Sequence, residues 1–195
     1  TRLLCDWSSD VCSSDLEGLR ARTILEWGGE QIGSQLDFTR LKLDVAQLYP
    51  LGEDTVLGLG LGVGIIWPLN ETDVIPLQER FFNGGEDTVR SYREDELGPL
   101  DGDRDPIGGE AYTVASIELR RRLAGNLQGA FFIDTGHVAE KANDVFDGEG
   151  YGWGIGLGLR YLLPVGPIRL DGAFNPDAGA GQDDFVLHFA VGMAF

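Results

Sequence analysis

From Gly18 onward, apolar and polar positions alternate with a period of two, the pattern of strands that bury or cover one face. Leu19, Ala21, Thr23, Leu25 and Trp27 take one face of the first segment, and Arg20, Arg22, Ile24 and Glu26 the other. GGEQIGSQ reads as a turn, with Gly28, Gly29 and Gly33 as its permissive backbone. A second segment, about Phe38 to Leu48, sets Leu41, Leu43 and Val45 against Arg40, Lys42 and Asp44. In the third, Thr55 to Trp67, Leu57, Leu59, Leu61, Val63 and Ile65 oppose Gly58, Gly60, Gly62 and Gly64. After a long interruption, Ala115, Ile117 and Leu119 alternate with Ser116, Glu118 and Arg120. Leu127, Phe131 and Ile133 then alternate with Gln128, Ala130 and Asp134. Tyr151 to Leu163, Ile168 to Phe174 and Phe185 to Phe195 complete about eight predicted strands.

The connections alternate too. Those at Pro50–Gly52, Ala124–Gly125 and Val165–Gly166 are short; those at Gly28–Gly33, Leu69–Gly108, Gly136–Gly150 and Pro176–Asp184 are longer. Short turns on one side and long loops on the other organise outer-membrane barrels. Trp27, Trp67 and Trp153 fall at the long-loop ends and Tyr49 and Tyr161 at the short-turn ends, as two interfacial girdles would. No apolar run approaches the roughly 18 residues of a transmembrane helix, but a barrel strand needs only about 9–11. The pattern predicts an all-β, antiparallel transmembrane barrel rather than a soluble sandwich.

Composition refines this picture. The 195 residues include 29 glycines and ten phenylalanines but one methionine, and the net charge of −17 disfavours a nucleic-acid partner. Residues 1–16, TRLLCDWSSDVCSSDL, match the translation of a common short-read sequencing adapter read in reverse, and are expected to be non-native. Both cysteines, Cys5 and Cys12, lie there, so the remainder has no thiol chemistry; it carries 14 basic and 29 acidic residues, a net −15. Residues 17–195 are then the barrel segment, and the natural chain is expected to extend upstream.

Several motifs invite chemistry and fail on their context. GLGLGVG contains G-x-G, but its glycines continue at period two and end in Trp67-Pro68, and the pattern recurs at Gly152, Gly154, Gly156 and Gly158. A strand with a nearly bare inner face, against which something can lie, fits better. FIDTG, Phe132 to Gly136, resembles an aspartic-protease motif, yet that chemistry needs a second carboxylate and no second copy exists. Asp101, Asp103 and Asp105 open like a calcium loop, but Pro106 and Tyr112 stand where it needs Gly and Glu. Asn70-Glu71-Thr72 is a formal glycosylation sequon, and it would mean nothing if the source were bacterial. His137 and His188 lack ligand-type neighbours in sequence, and His188 reads as a plain lumen residue. No catalytic residue, cofactor or metal is expected.

The long interruption centres on Glu79 to Asp101, a glycine-punctuated charged loop of a length that is usually functional or disordered. Its Val89-Arg90-Ser91-Tyr92 resembles the VRGF/VRGY signature of the BamA/TamA superfamily (bacterial surface antigen). RFFNGG (Arg80–Gly85), LGP (Leu97–Pro99), DPIGG (Asp105–Gly109), SIELR (Ser116–Arg120), FFIDTGHV (Phe131–Val138) and GIGLGLRYLLPVGPIRLD (Gly154–Asp171) follow the family's order and spacing. The resemblance implies a sixteen-stranded barrel of which this is the C-terminal half, with a loop over about residues 69–108 folded back into the lumen. Arg80, Gly84, Gly85, Val89, Arg90, Ser91 and Tyr92 would form the loop signature, and Glu118 and Asp134 would hold Arg90. Phe185, Phe189, Gly192 and the terminal Phe195 would mark the gate strand and assembly signal.

The same resemblance implies a place in the bacterial outer membrane and a role in inserting β-barrel or autotransporter-type clients. Membrane thinning and lateral opening between first and last strands would serve that role. Implied partners are outer-membrane lipid, unfolded clients, and periplasmic or inner-membrane assembly partners reached through upstream modules. A two-partner secretion channel, a passive pore or the barrel anchor of a fused enzyme are the alternatives. Ser91 departs from the family's usual Gly; if that position needs a positive φ, serine is strained there.

Overall fold

The computed structural model describes residues 18–28, 37–70, 74–146, 150–163, 166–179 and 181–191. They form one antiparallel sheet of eight strands in simple sequence order: β1 (Gly18–Gly28), β2 (Phe38–Pro50), β3 (Thr55–Pro68), β4 (Ala111–Ala124), β5 (Leu127–Ala139), β6 (Gly152–Tyr161), β7 (Ile168–Phe174) and β8 (Phe185–Val191). The sheet is unclosed: β1 and β8 are its two edges. The predicted alternation holds strand by strand, with most bounds moving by a residue or two; β5 runs on to Ala139, past the expected start of the connection at Gly136, and the expected end of the last strand lies outside the described residues. The expected turn at Gly29 and Gly33, residues 1–17, Gly192 and Phe195 lie outside the described residues.

Register keeps the two faces distinct. Gly58 pairs with Glu118, Glu118 with Phe132, Phe132 with Gly156 and Gly156 with Ala173, so one continuous face carries the polar and glycine positions. The opposite face carries Leu25, Leu61, Leu157 and Phe189, all exposed. An exposed apolar sheet face this extensive is what hydrocarbon, not water, solvates. Trp27 and Trp67 both pair with Thr39, which sets them level; Tyr49 pairs with Leu57 at the other rim. From Leu57 to Trp67 is about 33 Å at 3.3 Å per residue. A strand tilt of about 40° reduces this to about 25 Å, the height of a barrel's apolar band.

The core lies between the long loop and the inner face. Val89, Tyr92 and Leu97 pack together with Val114, while Asn83, Arg90 and Ser91 are each about 1% exposed. The wall on which the tetrapeptide rests differs from expectation. The Gly58–Gly64 column is partly filled, since a Cβ at Gly64 would strike Tyr112 and Phe81 and one at Gly62 would meet Val114. Val89, Tyr92 and Ser91 lie instead over Gly136, Gly152 and Gly154, where an added Cβ would stand 2.8, 2.8 and 2.7 Å from them.

Candidate functional site

The loop is folded by its own polar groups before it meets the wall. Gly84 and Gly85 adopt φ of 105° and 103°, a region that favours glycine, and a Cβ at Gly84 would stand 2.5 Å from the Arg93 carbonyl. The Gly84 amide donates to Asn83 Oδ1 at 2.8 Å and Thr88 Oγ1 at 2.9 Å, and the Gly85 amide to the Tyr92 carbonyl at 3.2 Å. Within that frame, the Tyr92 amide donates to the Val89 carbonyl at 3.1 Å, closing a turn that projects Arg90. Arg80 ties the loop's flanks together: Nε donates to the Ile75 carbonyl and Nη1 to the Ile107 carbonyl, at 2.8 and 2.9 Å.

Arg90 reaches the inner face and meets both expected acids. Nε and Nη2 grip Asp134 bidentately at 2.7 and 2.8 Å, and Nη1 donates to Glu118 Oε2 at 2.5 Å. Such fork-to-carboxylate pairing is among the strongest polar contacts a protein makes. The Ser116 hydroxyl donates to Asp134 Oδ1 at 2.7 Å, and the Phe132 ring lies beneath the guanidinium. Glu118 is shared further, with Arg120 at 2.6 Å and Arg160 at 3.1 Å. Asp171 pairs with Arg160 and stands 3.6 Å from Arg90 Nη1. Arg90, Arg120 and Arg160 thus balance Glu118, Asp134 and Asp171, all buried. Burial alone would lower the Arg90 pKa, but the Asp134 hydrogen bonds and charge, then Glu118, outweigh it and raise it. The cluster is a charge-neutral clamp, and removing one partner from such a cluster costs about 3–5 kcal/mol.

The remaining signature residues fall around this clamp. Ser91 is not among the described non-glycine residues with positive φ, which are Asn70, Asp95 and Arg104, so the expected strain is absent. Its hydroxyl donates to the Trp153 carbonyl at 2.7 Å. Burial raises the Tyr92 phenol pKa. Phe185 and Phe189 lie exposed on the apolar face, away from the clamp. Asp134 faces a guanidinium and a serine, which is not the shared-proton geometry of a protease. Asp101 Oδ1 accepts the Asp103 and Asp105 amides, both at 2.9 Å, and so shapes its own turn.

Sequence reasoning missed Ser116, Phe132, Arg160 and Asp171 as members of the site, although alternation places each on the inner face. His188 is also more than a plain lumen residue: its Nε2 donates to the Arg90 carbonyl at 2.8 Å.

An unclosed antiparallel sheet with an apolar outer face, aromatic rims and a charge-clamped loop across its inner face is a segment of an outer-membrane β-barrel. The Omp85 superfamily domain matches residues 14–195, and the chain belongs to that superfamily, whose setting is the outer membrane. It is 27% identical to outer membrane protein assembly factor BamA of Nitratidesulfovibrio vulgaris, over 96% of this chain and 24% of that one. It is 31% identical to outer envelope protein 80, chloroplastic, of Oryza sativa subsp. japonica, over 90% and 25%. The chain therefore spans about a quarter of the length of these two relatives. Its fold resembles BamA from Haemophilus ducreyi lacking POTRA domains 1-3, with a TM-score of 0.74 at 20% identity over 88% of this chain and 38% of that one. CdiB from Acinetobacter baumannii aligns at a TM-score of 0.58 and 17% identity, over 91% and 30%.

Proposed function

We propose that the chain is the C-terminal half of a sixteen-stranded barrel that inserts β-barrel or autotransporter-type clients into the outer membrane. The observation that carries this reading is the Arg90 clamp, which holds the signature turn against β4 and β5 from inside. A seated loop stiffens that part of the wall. On this reading the outer edge of β8, which pairs with β7 on its other side, is exposed when the first and last strands of the full barrel part, and a client strand adds there by backbone hydrogen bonding. The work is non-covalent: strand pairing at an edge in a lipid environment, with no catalytic residue or cofactor. Unfolded clients, surrounding lipid and upstream periplasmic modules are its partners on this reading.

The test is Arg90→Ala in the full-length protein, reconstituted in lipid vesicles with an unfolded barrel client. Heat-modifiable gel mobility confirms that the variant barrel is folded. Client insertion is expected to fall at least about tenfold, equivalent to about 1.4 kcal/mol in the barrier. A folded variant that inserts clients at the wild-type rate overturns the role of the loop. Passage of a soluble chain across the vesicle wall without insertion favours the secretion-channel alternative.

A further inference from the structure

Among the described residues, β8 pairs with β7 alone. Its backbone pairs with β7 over seven residues, from Phe185 opposite Phe174 to Val191 opposite Ile168. The long loop reaches β8 and the segment just before it from the inner face. Arg93 Nε pairs with Asp183 Oδ2 at 2.6 Å, just before β8 begins; both side chains are partly in solvent, which screens the pair. The second contact is sheltered. His188 stands opposite Asp171 on the inner face, and its Nε2–H donates to the main-chain carbonyl of Arg90 at 2.8 Å, across 98 residues of sequence. Arg90 is therefore bound at both ends: its guanidinium to β4 and β5, its carbonyl to β8.

We propose that His188 is a positioning residue that fastens β8 to the seated loop, so that the Arg90 clamp and the β8 edge respond as one two-state element. A histidine that only filled the lumen would have no need to aim a ring N–H at the backbone of the clamp residue. Coupling of this kind is reciprocal: loosening β8 loosens the turn, and loosening the turn loosens β8 by the same factor. Ser91 supplies a handle on the loop side, because its side-chain hydroxyl bonds the Trp153 carbonyl on β6. Where the proposed client insertion applies (and this step rests on that reading), an incoming strand that peels β8 away also withdraws His188 and frees the loop.

The experiment is hydrogen exchange by mass spectrometry on the full-length protein in lipid nanodiscs, read on peptides covering residues 89–93, 111–139 and 185–191. His188→Ala is expected to speed exchange about tenfold in both 89–93 and 185–191, with 111–139 unchanged. His188→Gln, which keeps an N–H donor, should retain wild-type rates. Ser91→Ala should speed exchange in 185–191. His188→Ala acting on 185–191 alone, or Ser91→Ala leaving 185–191 at the wild-type rate, overturns the proposal. If His188→Ala does not assemble, the Ser91→Ala result decides by itself. No client is present, so the outcome is independent of whether insertion is the function.

Discussion

The guanidinium carbon of Arg90 lies 3.4 Å from the centre of the Phe132 ring. The charge is thus held between two carboxylates and an aromatic face, a geometry that needs a planar cation. Arg90→Met should lower the stability of the folded barrel by about 3–5 kcal/mol, because Asp134 and Glu118 lose a buried partner. Arg90→Lys should recover part of that loss, since a point charge keeps the attraction but not the fork or the stacking. Denaturant midpoints of the full-length protein in detergent give both values, and equal midpoints for Lys and Arg at this position would refute the argument from shape.

A second prediction concerns volume. A Cβ on Gly154 would stand 2.7 Å from Ser91 Oγ and 2.8 Å from its Cβ, but 3.3 Å from its backbone nitrogen. Gly154→Ala should therefore destabilise the seated loop by about 1–3 kcal/mol. Combining it with Ser91→Gly removes the two closest atoms and should restore most of that loss. Gly102→Ala, where a Cβ meets nothing within 4 Å, is the neutral control. Protease sensitivity of the loop in the folded protein ranks the four proteins.

The two arginines that face each other across β6 and β7 should behave unequally. Arg160 bridges Glu118 and Asp171, whereas among the described residues Arg169 pairs only with the exposed Asp87 and leaves Nε and Nη1 without partners. Arg160→Met is expected to cost about 3–5 kcal/mol. Arg169→Met is expected to stay within about 1 kcal/mol, because it removes a solvent-screened pair and a like-charge neighbour. Urea titrations of the two variants side by side check the ordering, and a larger loss for Arg169→Met would contradict it.

The apolar face offers a depth-dependent test. Leu61 sits on β3 between the levels of Tyr49 and Trp67, and Tyr161 lies at the short-turn rim. Leu61→Arg should cost about 2–4 kcal/mol in a bilayer, and Tyr161→Arg about 0–1 kcal/mol. Folding free energies measured in lipid vesicles separate these values; in a water-facing sheet both changes would be nearly neutral.

Much of this architecture was legible because a strand's period of two is strict. Once Leu57 to Ile65 had a face, so did Glu118 and Asp134, and the family resemblance supplied the reason to look for Arg90 between them. What alternation cannot give is position across the sheet. The chain has two glycine columns, Gly58–Gly64 and Gly152–Gly158, and nothing local says which one the turn will lie over. Ser91 illustrates a second limit: the identity of a tetrapeptide does not reveal its φ, and the serine is used for its hydroxyl. His188 and Asp171 were hidden for a third reason. Their contacts depend on the summed register of several strands, and no short window of sequence contains that sum.

The clamp also keeps a record of how the sheet was put together. Its acceptors come from β4 and β5, with Asp171 from β7 close by, and they converge only if every ladder between them is aligned. Slippage of β5 by one residue would turn Asp134 toward lipid and bring its neighbours on the other face into the lumen. Arg90 would then have to be buried without its fork, or stay outside. A seated loop is therefore a proofreading mark: this long segment can dock only on strands that have already paired correctly.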